Sequence, residues 1–227
     1  MRPALIFDLD DTLYPEAEYI RSGFRAVAED LETRLGLSAD ATFAELEHLF
    51  WQEPAAGVFD RWLENRGLTS AELLDLMIQT YRLNQPPLRL FCDARWALDR
   101  YRTGFRLALL TDGRSLSQRH KIKALGIESA FEAVVVTDEL SIASRKPSTR
   151  GFEWLLEQLG TIPRTALYVG DNPLKDFFGA KRLGMATVRV RRRCGIHRQA
   201  EAPGPDYAPD AEISSLFELP EVLPFRP

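Results

Sequence analysis

The 227-residue sequence predicts an α/β fold, a parallel sheet into which a block of helices is inserted near the start. Three observations carry that prediction. Short apolar runs rich in β-branched or aromatic residues occur once at the start and repeatedly after residue 100, as expected of strands buried on both faces. Segments with helical apolar spacing lie between the later runs, and this alternation implies right-handed crossovers. Residues 14–89 show helical spacing alone, which makes them an insert.

The first strand is ALIF at 4–7. The insert supplies four helical stretches, 18–36, 41–52, 57–67 and 69–84, with Gly36 and Gly67 as stops. NQPPLRL at 84–90 is the return linker. Strands follow at 105–110, 133–136, 165–169 and 186–190. Between them, residues 115–126 start with serine and stop at glycine, 149–160 repeat that logic, and 172–184 begin with Asn172 and Pro173 in cap and first-turn positions. The proline-rich tail at 201–225 is expected to pack as loop plus one short helix.

Composition narrows the function. With 45% hydrophobic and 27% charged residues the chain sits in the ordinary globular range. No stretch approaches the roughly eighteen apolar residues of a membrane helix, and Asp8 comes too early for a signal-peptide apolar region, so a cytoplasmic protein with no membrane partner is expected. Cys92 and Cys194 show neither CxxC spacing nor nearby histidines, which argues against a disulfide framework or a thiolate zinc site. A formal charge of −4 lacks the basic face of a nucleic-acid partner. Acidic residues outnumber arginines in the insert, and lysine is missing from it; the first lysine of the chain is Lys121.

In open α/β sheets, ligands bind beyond the carboxyl ends of the strands. The first strand ends in DLDDT, with Asp8, Asp10 and Thr12; the second in TDG, with Thr111 and the amides of Asp112 and Gly113. The fourth ends in GDNPLKD, with Asp171 and Asp176, and Lys146 of SRKPS stands just ahead of a helix. Carboxylates crowded together raise one another's pKa unless a hard divalent cation sits among them. Magnesium suits that set, and because it is commonly held by one or two carboxylates plus a substrate phosphate, the lysine, hydroxyl and amides point to a phosphate ester.

These four ordered motifs, each at a strand end, resemble those of the haloacid dehalogenase-like superfamily of aspartyl-phosphate phosphatases. The resemblance spans the chain and implies a Rossmann-like catalytic core at 1–13 and 90–227, with 14–89 as a helical cap. It also implies that Asp8 is the nucleophile and that Asp10 protonates the leaving oxygen and then activates water. Thr111, Asp112, Gly113 and Lys146 would bind the phosphoryl group. Magnesium would be held by Asp8, the Asp10 carbonyl and Asp171, with Asp176 completing the shell or orienting Lys146. Thr12 would brace the turn. Departures from the family pattern are Asp112, where asparagine is frequent, the Arg114 that follows Gly113, and Ser144 and Arg145 ahead of the lysine.

Other polar residues have blander readings. Asp11 is expected in a solvated turn or helix cap, Lys175 on a solvent-facing helix surface, and the basic run at 189–198 at a strand end that meets water. His48, His120 and His197 have no partners at ligand spacing. Trp51, Phe59 and Trp62 are expected to pack the insert. Among rival activities, a dehalogenase has little use for Asp10, and a phosphonatase would need a cap lysine. A sugar phosphomutase and a non-catalytic phosphate binder stay open as alternatives. The acidic insert mildly disfavours polyanions, which leaves sugar phosphates, nucleoside monophosphates and similar metabolites, acted on by a monomer or homodimer.

Overall fold

The computed structural model describes residues 2–54, 57–68 and 70–225. Thr69, which opens the fourth helical stretch of the insert, lies outside them. The chain divides into two compact units, one of residues 1–16 and 87–227, the other of residues 17–86.

The first unit is built on a six-stranded sheet, β1 (Ala4–Phe7), β2 (Arg106–Thr111), β3 (Ala133–Val136), β4 (Ala166–Gly170), β5 (Ala186–Val190) and β6 (Ala211–Ile213). Its order is β3-β2-β1-β4-β5-β6 and every pairing is parallel. The first strand made is therefore central, and strand order reverses on either side of it. Its helices are α5 (Cys92–Tyr101), α6 (Ser115–Leu125), α7 (Thr137–Leu140), α8 (Arg150–Gln158), α9 (Asp176–Leu183) and α10 (Leu219–Val222). Alternate strand residues point to opposite faces. Ala4, Ile6, Ala108, Leu110, Ala166 and Tyr168 share one face and pack with Phe152, Leu155 and Leu156 of α8 and Phe177 and Ala180 of α9. Leu5, Phe7, Leu107, Leu109, Leu167 and Val169 fall on the other and are equally buried. Strands buried on both faces account for the continuous apolar runs.

The second unit holds α1 from its second residue on (Glu16–Leu35), α2 (Ala39–Gln52), α3 (Val58–Asn65) and α4 (Ala71–Leu83). Ser38 and Ser70 cap α2 and α4 by accepting from Ala41 N and Leu73 N. Gly36 and Gly67, at φ of 68° and 65°, let the chain leave α1 and α3 through the left-handed region. Phe24, Phe50, Phe59 and Tyr81 meet edge-on or tilted, and Trp62 is buried with its indole N–H donated to Glu45. Trp51 is 46% exposed, so it does not join the packed interior. No described helix is long and apolar enough to cross a membrane.

Several elements, the short α7 among them, differ from expectation. The helix expected at 172–184 begins only at Asp176; Asn172 and Pro173 lie in a preceding turn, where the Asn172 carbonyl accepts from Asp176 N. The tail adds a strand, β6, whose three residues are too few to show a period of two. Helix α5 carries the buried Asp93 in its first turn, which interrupts the apolar stripe that would announce it.

Candidate active site

Beyond Phe7 the ladder continues for one more bond, Asp8 N to Val169 O at 2.8 Å, so Asp8 extends the face that holds Ile6 and Tyr168. Lys146, just before α8, reaches the same face. Its ammonium donates to Asp8 Oδ1 at 2.6 Å and to the Tyr168 hydroxyl at 2.8 Å, and lies 2.8 Å from Asp176 Oδ1. Asp176 is fully buried at the start of α9, and its other oxygen accepts from Asn172 N at 2.9 Å. A Cβ on Gly170 would come within 2.5 Å of that oxygen, so only glycine leaves Asp176 its place.

Asp8, Asp171 and Asp176 each offer an oxygen within 4.8 Å of the others. Burial pushes the Asp8 carboxyl up to about 7 against the pull of Lys146, and burial together with Asp176 and Asp8 raises Asp171 well above its usual value. Lys146 is held well above the usual lysine range: burial opposes its charge, but Asp176 and Asp8 outweigh that. Asp176 Oδ1, buried and ion-paired with Lys146, makes no hydrogen bond among the described residues. Three clustered carboxylates, two of them paired with one ammonium, fit a divalent cation that prefers oxygen ligands.

Asp10 belongs to a second network. Its Oδ1 accepts from Lys121 at 2.7 Å and from the Tyr14 hydroxyl, and its Oδ2 from Gln118 at 2.9 Å. The same Gln118 amide donates to Thr111 Oγ1 at 2.6 Å. Burial opposes the Asp10 charge, but Lys121 and these hydrogen bonds hold its carboxyl below the ordinary range. Gly113, at φ 138°, has a conformation side chains rarely adopt, and a Cβ there would sit 3.0 Å from Gln118. Asp112 accepts from Thr137 Oγ1, Lys146 N and Lys175 Nζ at 2.8, 3.1 and 3.2 Å, which aims it across the loop ends.

The turn at residues 8–12 is held from behind. Asp11, at φ 51°, is buried and accepts from Glu16 N and Ile196 N. The Thr12 carbonyl accepts from Arg192, which also pairs with Asp93, and Asp93 accepts from Ser215 Oγ and Leu216 N. The Thr12 amide donates to Leu9 O at 3.4 Å, while its buried hydroxyl finds no partner among the described residues.

The sequence model of the family described as haloacid dehalogenase-like hydrolase matches residues 5–190. The chain belongs to that family. A glyceraldehyde 3-phosphate phosphatase of Methanopyrus kandleri is 34% identical, covering 98% of this chain and 97% of its own. A phosphoserine phosphatase of Thermus thermophilus is 30% identical over 95% and 96%. The crystal structure of a phosphatase of the family from Thermococcus onnurineus superposes with a TM-score of 0.64 at 26% identity, covering 98% of each chain. With these relatives, this haloacid dehalogenase-like protein is a phosphoric monoester hydrolase.

In this family member the structure gathers Asp8, Lys146, Asp171 and Asp176 into one cluster and Asp10 and Thr111 into its neighbour, with Asp112 and Gly113 on the loop after β2. Lys175 is not on a solvent-facing helix: it ends the turn before α9 with its ammonium on Asp112. Asp11 is a buried cap rather than a solvated one. The basic run does not simply meet water, because Arg189 and Arg192 are buried and donate to the Asp171, His197 and Thr12 carbonyls. Tyr14, Gln118, Lys121 and Tyr168 join these clusters without belonging to any of the motifs. The one sequence signal was scarcity: of five lysines in the chain, Lys121, Lys146 and Lys175 all contact these aspartates.

Proposed function

We propose that the protein is a magnesium-dependent phosphatase that hydrolyses a small phosphorylated metabolite, a sugar phosphate or a nucleoside monophosphate, through an aspartyl-phosphate on Asp8. The observation that carries this reading is the buried trio Asp8, Asp171 and Asp176, with Lys146 paired to Asp8 and Asp176 and with Asp10 held separately two residues on. Relatives named for glyceraldehyde 3-phosphate and phosphoserine support a small substrate. Residues 1–13 and 90–227 are assigned as the catalytic core and 14–89 as the cap that selects the substrate.

Asp8, Asp171 and the Asp10 carbonyl would hold the magnesium, with Asp176 beside them. When bound, it would offset the charge of the carboxylates and the phosphate. An Asp8 oxygen attacks phosphorus; the Asp8–phosphorus bond forms, the ester bond breaks, and Asp10 gives its proton to the departing oxygen. Water then loses a proton to Asp10 and displaces phosphate from Asp8. Lys121 favours the ionised Asp10 that this second step needs, and the approach of the phosphate dianion favours the protonated form that the first step needs. The Thr111 oxygen already accepts from Gln118, so its own proton is left for a phosphoryl oxygen. Lys146 supplies charge beside the transferring group.

Phosphate release across about a hundred phosphorylated metabolites, a set scaled to small-molecule pockets, would find the substrate. Exhaustive chelation is expected to abolish release, magnesium to restore it, and calcium to restore it poorly, because calcium prefers more ligands and longer bonds. Full turnover after chelation would refute the metal assignment. Gly170→Ala is expected to displace Asp176 and lower turnover roughly tenfold to a hundredfold, as misplacements near 1 Å do. Unchanged turnover in that variant would show that the placement of Asp176 is not critical.

A further inference from the structure

We propose that Gln118 and Lys121 are positioning residues that lock the Asp10 carboxylate in the orientation from which it serves the leaving oxygen. The inference rests on the assignment of Asp10 as proton donor and acceptor. Positions 118 and 121 are three apart on α6 and so share a face of that helix. Lysine is almost never fully buried unless paired, yet the Lys121 side chain is only 5% exposed, and its ammonium sits 2.7 Å from Asp10 Oδ1. The buried Gln118 uses one amide nitrogen for both Asp10 Oδ2 and Thr111 Oγ1, tying the turn after β1 to the end of β2. Gly113 gives Gln118 room.

Together with the Tyr14 hydroxyl, these donors engage both oxygens of Asp10. A carboxylate bound at both ends cannot swing about its side-chain torsions. Proton transfer needs heavy atoms within hydrogen-bond reach, so a fixed approach direction acts on the proton step rather than on substrate affinity. Ordinary helix packing would need neither an ammonium nor an amide at these two positions, since apolar side chains fill such space without a desolvation cost.

A double-mutant cycle on the full chain with magnesium tests this. Its readouts are steady-state phosphate release from an alkyl phosphate and the rapid-mixing burst of aryl alcohol from p-nitrophenyl phosphate. Lys121→Met and Gln118→Leu are each expected to lower kcat for the alkyl ester roughly tenfold to a hundredfold. KM for the alkyl ester should stay within about twofold and the first release of aryl alcohol should stay fast, because an activated leaving group departs without a proton. Lys121→Arg should recover part of the loss. In an Asp10→Asn background the same substitutions should cost less than about twofold more, since their target is gone. Equal losses in both backgrounds, or a loss confined to KM, would overturn the inference. Full turnover by Asp10→Asn alone would instead remove the Asp10 assignment beneath it. Should Lys121→Met fail to fold, Gln118→Leu, which leaves the ammonium on Asp10, carries the cycle.

Discussion

Asp8→Asn is expected to abolish phosphate release while the protein stays folded. An amide neither attacks phosphorus nor offers a charged ligand, so no residual covalent route exists. Cutting one partner from a buried ion pair ordinarily destabilises by about 3–5 kcal/mol. Here the surroundings reverse that expectation, because Asp8 is one of three clustered carboxylates and Lys146 keeps Tyr168 and Asp176 as partners. Burial, with Asp176 beside it, pushes the Asp8 carboxyl up to about 7 from an ordinary 3.8. A folded-state value raised in this way means that ionisation costs stability, progressively, as pH rises through that interval. Asparagine cannot ionise. The metal-free variant should therefore melt at or above the wild-type temperature at pH 8, with the gap narrowing toward pH 4. Wild-type turnover in the variant would refute covalent catalysis by Asp8. A markedly lower melting temperature at pH 8 would show that the ion pair outweighs the cost of burial and repulsion.

Asp10→Asn should cost roughly a hundredfold or more in turnover of alkyl phosphates and should split the reaction with an aryl phosphate. The aryl oxygen leaves without a proton, so Asp8 is still phosphorylated. Hydrolysis of the aspartyl-phosphate then lacks its base. Rapid mixing is expected to show a burst of aryl alcohol followed by slow phosphate release. Equal losses for both ester types with no burst would move the proton-transfer role to another group and leave Asp10 as a magnesium or positioning residue.

The sheet core and the three acidic or hydroxyl strand ends were legible in the sequence because each joined an apolar run to polar residues where no core needs them. What escaped is set by tertiary geometry. Tyr168 sits mid-strand and reads as core, which it is; only the pleat reveals that its hydroxyl ends on Lys146. Gln118 and Lys121 look like the polar side of an amphipathic helix, and nothing local distinguishes that side from a solvated one. Arg189 and Arg192 belong to a run of like charges, a pattern that usually marks a wet surface, yet carbonyls at distant turns take up their guanidinium groups. The turn at Asn172–Lys175 displaced the expected helix start because Asn172 bonds to the amides that follow it instead of capping a helix.

The tie that runs from Thr12 through Arg192 and Asp93 to Ser215 and Leu216 has a consequence during synthesis. Chains emerge from the ribosome N-terminus first. The turn carrying Asp8 and Asp10 leaves before its supports: β1 must wait for β2 and β4 on its two sides, and the clamp behind the turn closes only when residue 216 is available. The turn that carries Asp8 and Asp10 is thus braced only after β2, β4 and residues 215 and 216 have been made.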